Sequence, residues 1–153
     1  MVLACVQASG TTAPPPPRAL EHIVGDAEYI VVGVPQRARY LAYDTRIPEE
    51  YGREFTEPAR GRMPVYEVSL KRILYAKDSS LPRSLLLGVA AKAGPDSTRM
   101  KLGEEYLYFL SKYSKGQIKE RVIYMIEDPP LDRAREKEVS EVIARIRKEQ
   151  DRK

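Results

Sequence analysis

The chain has no tryptophan, one cysteine (Cys5), one histidine (His22) and two phenylalanines. A lone cysteine cannot close an internal disulfide, and one histidine beside one cysteine cannot assemble the usual zinc clusters. The same scarcity removes serine hydrolases, thiol enzymes and zinc deaminases, each of which needs a histidine or cysteine in company. Glycine-rich phosphate loops and an Asp-rich loop of EF-hand spacing are missing as well. No run of about twenty apolar residues occurs, so no integral helix is expected to span a membrane. The adjacent carboxylates Glu49-Glu50 and Glu104-Glu105 are weak acid–base candidates, because neighbours along a strand point to opposite faces. No enzymatic activity, no metal and no cofactor are expected.

What is present suits one domain with tails. At 153 residues the chain can bury a core without disulfides or metal. Ten tyrosines point to a modest core that is wet at its edges, since each ring brings a hydroxyl that wants a partner. The net charge is +4, but its distribution is mixed. Four arginines and four glutamates share residues 46–62, and eight basic side chains stand against six acidic ones in residues 132–153. Such stretches are solvated faces rather than a groove of one sign. His22 reads as a polar residue on a short helix.

Residues 1–17 divide into MVLACVQA, a small polar run, and Pro14 to Pro17. The opening resembles the end of a bacterial export signal. Val2-Leu3-Ala4-Cys5 resembles a lipobox, which makes Cys5 the candidate lipidation residue; alternatively Val6-Gln7-Ala8 fits cleavage by the ordinary signal peptidase. The proline run that follows is an extended spacer in either case. A lipid on Cys5 would be the only membrane attachment.

Residues 18–25 (RALEHIVG) predict a short helix with Leu20, Ile23 and Val24 on one face and Gly25 as its stop. Residues 29–34 (YIVVGV) predict a buried strand, bent near Gly33 and Pro35 and resuming over 39–43. Residues 44–64 read as one long loop with three prolines and two glycines, a length that is often functional. Residues 65–77 alternate, with Tyr66, Val68, Leu70 and Leu74 on one face. Residues 84–91 give a third strand, bent at Gly88. Residues 105–111 give a fourth with two apolar faces, and helix is its competitor. After a turn at Ser114-Lys115-Gly116, residues 117–127 give the fifth. Beyond Pro130, Leu131, Arg135, Val139, Val142, Ile143 and Ile146 mark an amphipathic helix with a core-packing stripe, and Glu141 is placed to pair with Arg145.

The expected fold class is thus mostly β: a five-stranded OB-like barrel over 18–128, with a short N-terminal helix and a C-terminal amphipathic helix over 129–153. Three strings sharpen it. Residues 26–34 (DAEYIVVGV), 68–75 (VSLKRILY) and 102–110 (LGEEYLYFL) resemble motifs of the netrin-like, or tissue-inhibitor-of-metalloproteinase-like, domains of bacterial envelope proteins. That resemblance implies an OB-type core; its motifs are mainly core pattern and say little about activity. Zinc-chelating inhibition is not implied here, because that mechanism uses a free N-terminal cysteine amine braced by disulfides, and Cys5 has no partner.

The function expected is a non-enzymatic envelope binding or scaffolding module, periplasmic or at the outer surface, with a protein partner. Its candidate surface is the long loop, through Tyr51, Arg53, Phe55 and Arg60. One alternative is a cytoplasmic single-stranded nucleic-acid-binding OB protein using Tyr66, Tyr106, Tyr108 and Tyr124 with Arg72, Lys119 and Arg121. The competing expectation for those tyrosines is packing between barrel and terminal helix. A second alternative is a protease-inhibitor-like module that does not chelate zinc.

Overall fold

A computed structural model describes residues 18–42, 53–57, 62–89, 100–118 and 121–152, with the side chains of 113–118 and 121 left aside. Cys5, Tyr51, Arg60 and Lys119 lie outside the described residues.

The chain is mostly β, with helices at both ends of the described sequence. Helix α1 spans Leu20–Asp26 and α2 spans Glu136–Asp151. The strands are β1 Tyr29–Ala42, β2 Glu54–Phe55, β3 Arg62–Ala76, β4 Ser84–Val89, β5 Tyr106–Ile118, β6 Arg121–Ile126 and β7 Leu131–Asp132. They form one sheet in the order β2-β1-β3-β4-β6-β5-β7, and β5 also pairs with β1. The pairings therefore close a ring of five strands, β1-β3-β4-β6-β5. All are antiparallel except β4 with β6.

Ring closure follows from the apolar pattern of β1 and β5. Val31 and Tyr29 face one way and Ile30 and Val32 the other, and all four are buried. Tyr108 and Leu110 oppose Leu107 and Phe109 in the same manner. A strand apolar on both faces needs cover on both. One cover is the core of the ring, which takes two fully buried or nearly buried residues from each of its five strands: Tyr29, Val31, Tyr66, Val68, Leu85, Leu87, Tyr108, Leu110, Tyr124 and Ile126. The other is the pair of helices. Val24 of α1 and Val139, Val142 and Ile143 of α2 pack on Ile30, Val32, Leu107 and Phe109. A third cluster, Leu41, Val65, Leu86 and Ile123, lies on the outer face at the far end of β1.

The structure departs from the sequence reading in several places. Among the described residues the sheet has seven strands, because β2 and β7 are two-residue additions held by neighbours rather than by any pattern of their own. Residues 44–64 are not one loop: β2 lies within them and β3 already begins at Arg62, where Met63 and Arg62 pair with Leu41 and Ala42. Ser114-Lys115-Gly116 is not the turn. β5 continues to Ile118, pairs Gln117 with Val122, and takes up the extra residues as an irregularity between Lys112 and Gln117.

Leu74 leaves the face of Tyr66, Val68 and Leu70 and joins the helix-side cluster. The cause is a register shift between Val32 and Gly33, whose partners skip from Arg72 to Leu70; the extra residue, Lys71, inverts the alternation beyond it. A further shift, at Ile30/Val31, makes Leu74 itself the extra residue, and a third, at Pro35/Arg37, places the extra residue Gln36 in β1, where the first strand is expected to bend. Gly88 is no bulge, since its register runs unbroken to Val65 and Met125. It is small because a Cβ there would lie 2.9 Å from Met125 Sδ and 3.0 Å from Met63 Sδ. Gly25 lies inside α1 rather than ending it.

The C-terminal helix starts later than its apolar stripe. Leu131 pairs with Leu107 as strand, a 3-10 turn covers Arg133–Arg135 with its start capped by the Asp132 carboxylate, and only then does α2 begin. Arg135 sits before the helix and bonds Glu138 at 2.9 and 3.0 Å. Arg145 reaches Glu21 on α1 at 2.8 Å, so this contact ties the two helices to each other.

Two buried tyrosines differ in one respect. The Tyr29 hydroxyl bonds the Asp78 carboxylate at 3.0 Å. Tyr108, wholly buried, has no partner for its hydroxyl among the described residues, and burial pushes that phenol well above its ordinary value. An unpaired buried hydroxyl costs about 1–3 kcal/mol, and a made one contributes about 1. Tyr108→Phe is therefore expected to raise stability by about 1 kcal/mol in urea unfolding, while Tyr29→Phe lowers it. A destabilised Tyr108→Phe would reveal a partner for the hydroxyl.

Candidate binding surface

The connection between β1 and β3 is pinned at its midpoint. Phe55 pairs with Tyr40 and Glu54 with Leu41, and the Ala42 amide donates to the Arg53 carbonyl at 3.3 Å. Beneath this short edge strand lies Arg39, only 8% exposed. Its guanidinium forms an ion pair with Glu54 on β2 at 2.5 Å and donates to Glu67 on β3. Burying a guanidinium is costly unless carboxylates meet it, and one placed between two of them holds both strands in register. The sequence carried a signal of this: Arg39 and Leu41 share a face by alternation, and an arginine on an apolar face implies a partner.

Above the pin, the Arg62 guanidinium lies 3.4 Å from the centroid of the Phe55 ring and donates to the Glu57 carbonyl at 3.1 Å. Phe55 is half-buried and Arg53 is exposed. Of the four residues expected to carry recognition, Arg53 and Phe55 therefore stand together at the outer edge of the sheet. Tyr51 and Arg60, in the flanking chain, are outside the described residues, as is Cys5.

The tyrosine surface required for stacking on bases is not assembled. Tyr66, Tyr108 and Tyr124 are at most 7% exposed and belong to the core of the ring. They also correct the competing expectation, because they pack inside the ring and not against α2. Tyr106 is half-buried and accepts from the Lys101 amide at 2.9 Å.

Arg72 is likewise engaged: it bonds Glu136 at 2.7 and 2.9 Å and lies 3.7 Å from Glu105, which also meets Arg133 at 3.1 Å. This clasp fixes the start of α2 to β3 and to the residue before β5. Arg72 holds the Glu136 carboxyl below its ordinary value, chiefly by hydrogen bonding. A carboxyl so depressed stabilises the fold at pH values above its unfolded pKa of about 4.3, and loses that contribution as pH falls through the lower folded value. Glu136→Gln should flatten the fall in Tm between about pH 5 and about pH 3; an unchanged profile would remove the clasp from the acid response.

Among the described residues, no group of three His, Cys, Asp or Glu side chains could hold a metal ion, and no helix is long and apolar enough to cross a membrane. His22 sits on α1, where its carbonyl accepts from Arg18 at 3.4 Å. Arg18 also bonds Asp128 at 3.1 and 3.3 Å, tying the start of α1 to the segment after β6. No known protein-family description matches the chain, and no curated protein is similar to it.

Proposed function

We propose that the chain is a non-enzymatic binding or scaffolding module of the bacterial cell envelope, an OB-like barrel of netrin-like type that presents the β1–β3 connection to a protein partner. The five-stranded ring with a bent first strand supports the barrel reading. The observation that carries the functional reading is the pinned connection: Glu54 is locked to the buried Arg39, and the half-buried Phe55–Arg62 pair stands beside the exposed Arg53 at the sheet edge. A loop fixed at its midpoint on a rigid sheet loses less entropy on binding, and stacked aromatic–arginine pairs are favoured in interfaces. Cys5, as the lipidation residue, would tether the module through the proline spacer.

The test is partner capture from an envelope extract by a crosslinkable form of the protein. Alanine at Tyr51, Arg53 and Phe55 together is expected to abolish capture. Stability should change by no more than about 1 kcal/mol, the scale of an exposed cation–π contact. Capture that persists removes this connection from the reading. Intact mass and fractionation of the natural gene product test the address: acylated Cys5 in the membrane fraction is expected, and a cytosolic product retaining Met1 would overturn it.

A further inference from the structure

The two helices meet in a seam beside the end of β3. A small cavity of about 30 Å³ opens there to solvent, floored by Val24 of α1 and by Ile143 and Ile146 of α2. The segments that frame it, residues 23–28, 74–76 and 142–151, all lie within the described residues. Val24 and Ile143 belong to the cluster between helices and sheet, so the core fixes the floor. One water needs roughly 10–15 Å³ by the same measure, so the space suits about two waters, the bulk of an isopropyl group. An aliphatic floor gives water no partner, which favours the alkyl occupant.

Two features of the rim do not serve the fold. Gly25 lies inside α1, where glycine costs about 0.5–1 kcal/mol relative to alanine. Its backbone is not left-handed, since Gly103 is the described glycine with a positive φ, and a Cβ at Gly25 would meet nothing within 4 Å. Neither conformation nor packing calls for a glycine there; its missing side chain leaves the mouth of the cavity clear. The second feature is Arg147. Its guanidinium lies 4.8 Å from the centroid of the Tyr75 ring at the cavity wall, and among the described residues no carboxylate pairs with it. The carboxylates of α1 and of the residues just after it are taken by other cations: Glu21 by Arg145 at 2.8 Å, Asp26 by Arg18 and Glu28 by Lys77. Gln150, on the same rim, adds an amide.

A guanidinium meets a carboxylate through two parallel N–H donors, and stacking on Tyr75 orients its plane without using them. An inorganic anion would leave the aliphatic floor empty, and a neutral hydrocarbon would leave the guanidinium unmatched. We propose that the α1–α2 seam binds a small branched aliphatic carboxylate, its alkyl end on Val24, Ile143 and Ile146 and its carboxylate on Arg147 and Gln150. The site uses no residue of the β1–β3 connection and does not rest on the protein-partner reading.

The experiment is an amide-resolved NMR titration of the full chain with isocaproate at fixed pH and ionic strength. Saturable shifts centred on residues 24–27 and 143–150 are expected, with Kd on the order of 1 mM. Neutral isocaproamide keeps the alkyl group and loses the charge, and should bind about tenfold more weakly. Arg147→Gln should weaken isocaproate by a similar factor. Gly25→Leu fills the mouth with a good helix former and should abolish binding while Tm holds or rises, a combination that a merely structural glycine would not give. Acetylglycyl-leucine carries the same alkyl group beside a chain-terminal carboxylate and separates the sources. Tighter binding than isocaproate assigns the site to a protein C-terminus, and weaker binding assigns it to a free short-chain acid. Absence of saturable shifts at the seam, equal binding of acid and amide, or wild-type binding by Gly25→Leu overturns the proposal.

Discussion

Gly33→Val is expected to prevent stable folding, and Gly33→Ala to lower stability by about 2–3 kcal/mol in urea unfolding. Gly33 is where β1 is paired on both sides at once, to Leu70 of β3 and Tyr106 of β5. A Cβ built there would lie 2.5 Å from Val68 Cγ1 and 3.1 Å from the Ser69 carbonyl oxygen, with Tyr108 Cε2 at 3.6 Å. Val68 and Tyr108 are both wholly buried core residues, so neither can move aside without opening the ring, and the Ser69 carbonyl belongs to β3 itself. The contact is steric and not conformational, because Gly103 is the described glycine with a positive φ, at 89°. Gly25 is the internal control. Nothing lies within 4 Å of a Cβ there, and it sits within α1, so Gly25→Ala should raise stability by about 0.5–1 kcal/mol through helix propensity. Equal effects at the two glycines would mean that β1 is not clamped between β3 and β5.

Removal of α2 by truncation before Glu136 is expected to abolish cooperative unfolding and to leave an aggregating chain. The helix contributes Val139, Val142 and Ile143 to the cluster over Ile30, Val32, Leu107 and Phe109, and Ile146 packs at its edge. Four aliphatic side chains at about 1.5–3 kcal/mol each approach the whole stability of an ordinary domain, about 5–15 kcal/mol. The loss is compounded on the sheet side, where four large apolar residues of β1 and β5 would face water, a patch that favours association. The Arg72–Glu136 clasp and the Arg145–Glu21 contact would go with it. Far- and near-ultraviolet circular dichroism with a urea titration reads the result. A truncated chain that unfolds with an unchanged midpoint would make α2 an accessory, free to serve a membrane or a partner.

These two expectations mark where the sequence was legible. Strands β1, β3, β4 and β5 announce themselves by β-branched and aromatic density, and the two apolar faces read over 105–111 already imply that something covers each. The stripe Val139, Val142, Ile143 and Ile146 is visible as helical spacing. Missed elements are those with no pattern of their own. β2 exists because Arg39 and Tyr40 hold it, and β7 because Leu131 meets Leu107; two residues carry no periodicity.

The candidate surface was half legible. Arg53 and Phe55 stand together at the sheet edge, whereas the role of Arg62 as the group covering Phe55 could not be read, because six residues separate them and only the return of β3 beside β1 brings them into contact. Leu74 shows the sharpest limit. Its parity with Tyr66, Val68 and Leu70 is correct as arithmetic, but a single extra residue, Lys71, opposite Val32 and Gly33 turns it to the helix side.

The sequence by itself determined the class of the molecule: a mostly β chain with a short N-terminal and a longer C-terminal helix. Local chemistry is enough for that, because alternation and β-branching are properties of short stretches. Tertiary structure alone decided which tyrosines are core and that Gly33 is a contact point between three strands. Each of these depends on register between segments far apart in the chain, and register is set by the simultaneous packing of both faces of the sheet.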